Sequence, residues 1–370
     1  MYEYGHGGNA VYEYGNEQIT DLSASINPLG MPENVRDAII GEISNCRRYP
    51  DNLSGRLRDK LAEYENVDPG YIFCGNGASD IISRLPGAIQ ARKVLVTAPT
   101  FSDYERSAGS YGSAVIRHEL RPSNGFNLDR GVLDTVLHTS PHAVYICNPN
   151  NPTGVLTNAE LLHELLDCCR RVGAVAVVDE CFLDFAENAG DMTCKVFIDS
   201  YPNLVIIKAF TKLFALPGIR LGYAICPDGG IIDGLRANGA DWPVSNLAQA
   251  AGMAALDDAE NYVGETVRYV RAERKKLEGA LERLGYMVFE SSANFVFFRS
   301  PFPADLNREL GKRMIRIRSC GNFHGLDGSY YRAAVSTEEN NAGFISALED
   351  IAKANLYHYP LSAGIHFEND

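Results

Sequence analysis

Thr211-Lys212-Leu213-Phe214-Ala215-Leu216-Pro217-Gly218-Ile219-Arg220-Leu221-Gly222-Tyr223 is the stretch on which the reading of this chain turns. It follows one apolar run, Leu204–Ala209, and opens a second, Leu221–Cys226. A lysine and, eight residues later, an arginine therefore sit in a connection between two candidate strands. Working outward, Lys93–Ala98, Ala143–Cys147 and Ala174–Val178 have the same character: short, rich in Val, Ile and Ala, and mostly without polar alternation. Runs of that kind fit strands buried on both faces of a mainly parallel sheet. Between them lie helical patterns, the clearest being Ala159–Val172, where Leu161, Leu162, Leu165 and Leu166 share one face. Strands alternating with helices predict an α/β layered architecture.

The flanks predict a smaller second unit. A Gly- and Pro-containing arm covers Met1–Pro32, and a mixed-charge amphipathic stretch, Glu260–Leu284, reads as a long connecting helix. Beyond it, Gly285–Arg299 and Arg313–Val335 read as a second sheet, and Asn341–Asn355 as its closing helix. The expected domains are residues 1–40 as an arm and part of the small domain, 41–250 as the large domain, and 251–370 as the small α/β domain. Leu356–Asp370 carries His358 and His366 but no motif, and reads as a tail.

In open α/β sheets, ligands bind beyond the carboxyl ends of the strands. The residues just past each candidate strand are therefore informative. Asn148-Pro149-Asn150-Asn151-Pro152-Thr153-Gly154 comes after one, Asp179-Glu180 after another, Thr211-Lys212 after a third and Pro99-Thr100-Phe101 after a fourth. Singly these are turn chemistry, a helix cap, a surface lysine or an ordinary loop. Together they bring an amide, a carboxylate, an amine and an aromatic ring to one edge. Pyridoxal 5'-phosphate (PLP) makes matching demands. Its aldehyde requires a lysine, its ring nitrogen a carboxylate, and its ring face a flat apolar partner. Its phosphate requires backbone N–H groups at a helix start, for which Gly75-Asn76-Gly77-Ala78-Ser79 is the candidate.

Composition is compatible. The chain has 370 residues, 45% hydrophobic and 22% charged, as in soluble globular proteins. A formal net charge of −13 disfavours nucleic acid and anionic membranes as partners, yet permits a small anionic substrate bound by a few local cations. Nine cysteines without a C-x-x-C pair read as buried thiols in a reducing, cytoplasmic compartment. Neither a signal peptide nor a membrane span is expected.

With these residues in place, the chain resembles the fold type I PLP-dependent enzymes, the aspartate aminotransferase superfamily. The resemblance implies that Lys212 carries PLP as a Schiff base and that Arg220 binds its phosphate. Lys208 is the rival lysine but lacks the spacing to an arginine. Asn151 resembles the amide on the ring's phenolic oxygen, and Asp179 the partner of the ring nitrogen. Gly77, Ala78 and Ser79 resemble the phosphate-cradling turn, to which Thr211 adds a hydroxyl, and Phe101 resembles the ring-stacking aromatic. Tyr49, in Arg48-Tyr49-Pro50-Asp51, resembles the tyrosine that reaches a neighbouring subunit's cofactor phosphate, which implies a homodimer.

A finer similarity, over residues 6 to 350, is to the threonine-phosphate decarboxylase branch, a near relative of the histidinol-phosphate aminotransferases. It rests on His6-Gly7-Gly8-Asn9, Ser25-Ile26-Asn27-Pro28-Leu29-Gly30, Ile317-Arg318-Ser319-Cys320, Gly325-Leu326-Asp327 and Tyr330-Tyr331-Arg332. It implies a small phosphorylated amino acid as substrate, held by His6, Gly7, Asn27, Asn151, Arg318 and Arg332, with His324 as a further phosphate candidate. Two positions depart from the wider family. Ala209 stands where Ser or Thr is usual three residues before the lysine, and Phe182 stands where many aminotransferases have Tyr. Three activities stay open on these grounds: decarboxylation of an O-phosphorylated amino acid, transamination of the histidinol-phosphate type, and a catalytically silent regulator that keeps the fold.

Overall fold

The computed structural model describes residues 5–10, 15, 19–302 and 305–358, with the last four as helix backbone only. The tail from residue 359 onward, His366 included, lies outside the described residues.

The larger sheet has seven strands: β2 (Ile72–Gly75), β3 (Lys93–Ala98), β4 (Ala114–Glu119), β5 (Ala143–Cys147), β6 (Val175–Asp179), β7 (Leu204–Ala209) and β8 (Gly222–Ile225). Their order is β2-β8-β7-β6-β5-β3-β4, and every pair is parallel except those made by β8. Side chains alternate between two cores. Val144, Ile146, Ala176, Val178, Leu204 and Ile206 enter one, while Tyr145, Cys147, Val177, Val205 and Ile207 enter the other. Burial on both faces is the reason these runs carry no polar alternation.

The five expected strands are present, with one-residue shifts at β6 and β8. The sequence reading missed β2 and β4. The first is only four residues long. The second is a partly exposed edge strand ending Arg117-His118-Glu119, so it lacks the apolar signature of its neighbours. The helix Ala159–Val172 forms as expected. Asn158 Oδ1 accepts from the Leu161 N–H at its start (2.8 Å), and Gly173 stops it at φ 71°. Such a cap contributes ~1 kcal/mol, and the leucine face packs into the sheet's core.

The helix Ala259–Arg283 runs 25 residues toward the second sheet. That sheet has five strands: β1 (Thr20–Leu22), β9 (Met287–Phe289), β10 (Phe295–Arg299), β11 (Ile315–Ser319) and β12 (Tyr330–Ala334). The order is β1-β11-β12-β10-β9, so the N-terminal arm adds its strand in parallel beside β11. This pairing carries the residues just before and after β1 to the edge where β5, β6 and β7 end. Among the described residues no helix is long and apolar enough to cross a membrane.

Candidate active site

A cavity of about 210 Å³ opens at the carboxyl ends of the central strands. Lys212, Asp179, Asn151, Phe101, Ala78, Ser79, Thr211, Arg220, His6, Gly7, Arg318 and Arg332 all line it. The large sheet's loops and helix starts supply the first eight. The N-terminal arm supplies His6 and Gly7, and the small sheet supplies Arg318 and Arg332.

The strand register explains the convergence. Cys147, the last residue of β5, lies opposite Asp179, the last of β6, and Asp179 lies opposite Ile207 of β7. Asp179 is buried. Its Oδ2 accepts from the Tyr104 hydroxyl at 2.7 Å and its Oδ1 from the Cys181 N–H at 3.0 Å. Burial pushes its carboxyl above the ordinary range, against the pull of those donors. A positively charged ring nitrogen at that carboxylate would relieve the desolvation cost.

Lys212 lies in the short helical turn Phe210–Leu213 that follows β7. Burial, with Arg332 and then Arg220 adding positive charge, pulls its ammonium down to about 8. An amine so placed is nucleophilic near neutrality. The rival Lys208 serves another purpose. Its side chain shares the face of Leu204 and Ile206, where its Nζ pairs with Asp184 at 3.1 Å and Glu65 at 3.3 Å. Those carboxylates raise its ammonium well above the ordinary value, despite its burial.

The anion cradle is set by close approach. Gly77 caps the helix Ala78–Ala88 with φ 78°, and a Cβ there would meet Arg220 Nη2 at 2.6 Å. At Gly222 a Cβ would meet the Ala78 backbone nitrogen at 2.6 Å. The two glycines thus let a guanidinium and a helix start converge, the arrangement a phosphate requires. Gly77 forms this turn without lining the cavity.

On the opposite wall, Arg332 Nη1 donates to Asn151 Oδ1 at 2.5 Å, and Nη2 donates to the Ser23 carbonyl at 2.9 Å. Its buried Nε has no hydrogen-bond partner among the described residues, an unfilled demand inside the cavity. Burial lowers its guanidinium to about 10. Arg318 lies farther along β11, donating to the Ser319 carbonyl (2.7 Å) and to Asn322 Oδ1 (2.9 Å), with its guanidinium over the Phe323 ring.

Three of the expected residues lie outside this cavity. Asn27 does not line the cavity. Its amide nitrogen donates to the Leu213 carbonyl and Thr266 Oγ1, both at 2.7 Å, and its backbone N–H donates to the Lys212 carbonyl at 3.0 Å. Asn27 braces the lysine segment from behind because its donors are taken there. His324 is a surface residue 4.0 Å from Glu119, away from the cavity. Tyr49 is 80% exposed and stacks on Trp242 at 4.6 Å, outside this chain's own cavity.

Sequence reasoning passed over Asp103, Tyr104, Cys147, Cys181 and Phe323, which also line the cavity. Asp103 and Tyr104 were within reach of a reading. They begin the helix that directly follows Phe101, and a helix start beyond a strand end points at the same edge. Phe323 could not be placed, because its loop is brought in by long-range packing of the small sheet.

The residues present fit PLP. A buried carboxylate, a buried amine of lowered basicity, a flat ring at Phe101 and a helix-start cradle with an arginine surround one volume of suitable size.

The family model described as "Aminotransferase class I and II" matches residues 17–348. The chain is similar to threonine-phosphate decarboxylase from Salmonella typhimurium, at 32% identity over 95% of this chain and 97% of that one. It is as similar to histidinol-phosphate aminotransferase from Desulfitobacterium hafniense, at 33% identity over 92% of this chain and 94% of that one. Among solved structures, the histidinol-phosphate aminotransferase from Clostridium acetobutylicum superposes with a TM-score of 0.84 at 32% identity, covering 91% of this chain and 100% of that one. The chain therefore belongs to the class I and II aminotransferases and has the fold type I architecture of that PLP-dependent family.

Proposed function

We propose that this chain is a PLP-dependent carboxy-lyase that converts L-threonine O-3-phosphate to (R)-1-aminopropan-2-yl phosphate and CO2. The observation that carries the reading is the distribution of cations around one cavity. Arg332, tied to Asn151, and Arg318 and His6 all line it, beside Arg220 at the phosphate cradle. Such a cavity suits a substrate that is anionic at both ends, as an O-phosphorylated amino acid is.

Lys212 would hold the cofactor through its amine. Asp179, Asn151, Phe101, Thr211, Arg220 and the Gly77-Ala78-Ser79 turn hold it in place. When bound, PLP supplies an electron sink for the pair left at Cα as a bond breaks. Asp179 keeps the ring nitrogen protonated. Arg332 binds the α-carboxylate through the donors that a bidentate guanidinium offers. Arg318, His6 and the Gly7 backbone bind the distal phosphate. Carbon dioxide leaves from Cα, and Lys212 returns a proton to that carbon. Phe182, packed edge-on against Phe295 at 5.3 Å, offers no hydroxyl to the ring oxygen, so Asn151 alone is assigned to it.

The reading includes a cytoplasmic homodimer in which Tyr49 reaches the partner's site. The exposed Tyr49–Trp242 stack supports it, since an apolar ring pair facing solvent suits an interface. Transamination is the second reading, favoured by the equally similar aminotransferase relatives. The same residues would serve it, with Lys212 moving the Cα proton.

One assay separates the two. Holoenzyme is given O-phospho-L-threonine with and without a 2-oxo acid. Release of CO2 without an acceptor supports the lyase; turnover that requires the acceptor, with no CO2, overturns it. No turnover of either kind, with O-phosphothreonine or histidinol phosphate, supports a silent regulator.

A further inference from the structure

Asp103 is a second buried carboxylate, besides Asp179, in a cavity wall that also carries Arg220, Arg318 and Arg332, a placement that calls for a reason. It begins the helix Asp103–Tyr111, two residues after Phe101. It is 3% exposed. Its Oδ1 lies 3.3 Å from His6 Nε2 and 3.0 Å from Arg106 Nη2. Burial pushes its carboxyl up, and His6 and Arg106 more than offset that push, so it stands as an anion.

The other contacts of the arm converge on the same spot. The Gly8 N–H donates to Ser23 Oγ at 2.9 Å. Gly7 presses against the Ser23 carbonyl so closely that a Cβ there would overlap its oxygen. The His6 ring approaches Phe101, centroid to centroid, at 5.7 Å. Backbone contacts at Gly7 and Gly8 set where the arm runs, while the carboxylate and the Phe101 ring set how the imidazole is turned.

We propose that Asp103 is the positioning residue for the substrate's distal phosphate, acting through His6. With Nε2 turned to the carboxylate, Nδ1 is the nitrogen left for a phosphate oxygen. Asp103 does not touch the phosphate, and Arg106 stands behind it, so the cluster as a whole stays attractive to a dianion. The inference rests on the proposed phosphorylated substrate, and it applies equally to a phosphorylated amine lacking a carboxylate.

The test is a double-mutant cycle on holoenzyme with Asp103→Asn, His6→Asn and the pair, plus Asp103→Glu. Steady-state kinetics use O-phospho-L-threonine and, separately, histidinol phosphate, with cofactor loading and folding checked by absorbance and thermal melting. In Asp103→Asn, KM for whichever phosphorylated substrate turns over rises tenfold or more, while kcat changes less than twofold and cofactor loading is kept. In the His6→Asn background the same change adds less than twofold, and Asp103→Glu recovers part of the loss. An Asp103→Asn effect that persists undiminished without His6 assigns Asp103 a role in the helix start alone and overturns the proposal. So does an unchanged KM. A wild type that turns over neither substrate overturns the functional reading and this proposal together, whereas an active wild type with an indifferent Asp103→Asn overturns this proposal alone. If Asp103→Asn fails to fold, the KM of Asp103→Glu against wild type, with and without His6→Asn, decides the same question.

Discussion

Arg332 and Asn151, 181 residues apart in the chain, meet in a single buried hydrogen bond, Nη1 to Oδ1. One comes from β12 of the small sheet, the other from the loop after β5 of the large one. The cavity wall on which the substrate's carboxylate is proposed to rest is therefore made by both sheets.

Removing Arg332 is expected to be selective. In Arg332→Ala, kcat/KM for O-phospho-L-threonine falls about 100-fold or more, the loss expected for a buried charge partner worth ~3 kcal/mol. Inhibition by a phosphorylated amine lacking a carboxylate changes far less. Parallel kinetics with the two compounds check this, and equal losses would remove Arg332 from the carboxylate site.

The lowered basicity of Lys212 sets a pH dependence for loading the apo-protein. Only the free amine captures the cofactor's aldehyde, and its fraction rises with pH through a midpoint near 8. Between about 8 and the unfolded value of 10.5, the unfolded chain binds the extra proton, so this group's contribution to stability grows as pH rises. The rate of PLP capture, followed by absorbance, is expected to reach half its plateau near that midpoint. Arg332→Ala, by deleting the larger neighbouring positive charge, moves the midpoint upward. Borohydride reduction of the holoenzyme followed by peptide mapping should mark Lys212 and leave Lys208 unmarked.

At the cradle, Gly77→Ala places a Cβ against the Arg220 guanidinium and forces alanine to φ 78°. Backbone strain of ~1–3 kcal/mol, for a region of φ and ψ that glycine alone adopts readily, adds to the displaced arginine. The expected result is at least a tenfold weaker PLP affinity with a modest fall in melting temperature. Gly222→Ala, whose Cβ meets backbone rather than a flexible side chain, should cost more stability. Cofactor titration and thermal melting on both variants separate the two effects.

Behind the sheet, Glu65 is held near 2 against its ordinary 4.5: burial pushes it up, and Lys208, Lys195 and the Tyr223 hydroxyl more than reverse that. A depressed carboxyl contributes stability that is complete above the unfolded value. It is lost as pH falls from about 4.5 toward 2. The shift corresponds to about 3 kcal/mol. Glu65→Gln leaves the buried Lys208 with one fewer counter-charge and should destabilise by ~3 kcal/mol at neutral pH. It should also flatten the acid limb of the stability curve. Urea unfolding between pH 3 and 7 measures both.

The strands were legible because their signal is local. Four to six buried residues in a row mark β3, β5, β6, β7 and β8, and the residues just past the ends of the parallel strands β3, β5, β6 and β7 announce the edge. The same rule fails at β4, where an edge position permits exposed polar residues such as Arg117 and Glu119. It also fails for Asn27, since a polar residue in a Pro- and Gly-bearing loop looks the same whether it faces a ligand or clamps a backbone. The motif around it matched, while its hydrogen bonds went to Leu213 and Thr266.

Lys212 and Lys208 mark the boundary between the two kinds of information. Spacing to Arg220 selects Lys212 from the sequence, because a lysine, a turn and an arginine within one short connection are local facts. What makes Lys212 a nucleophile is not local. Its burial and the charge of Arg332 come from elements far away in the chain, a strand of the other sheet among them. Likewise the Arg332–Asn151 bond, the His6–Asp103 pair and the bracing by Asn27 join residues whose separation in the chain carries no sign of their meeting. Periodicity and strand-end chemistry act over a few residues and can be read directly. Charge, desolvation and the aim of a side chain are sums over neighbours, and those neighbours exist only once the two sheets have packed.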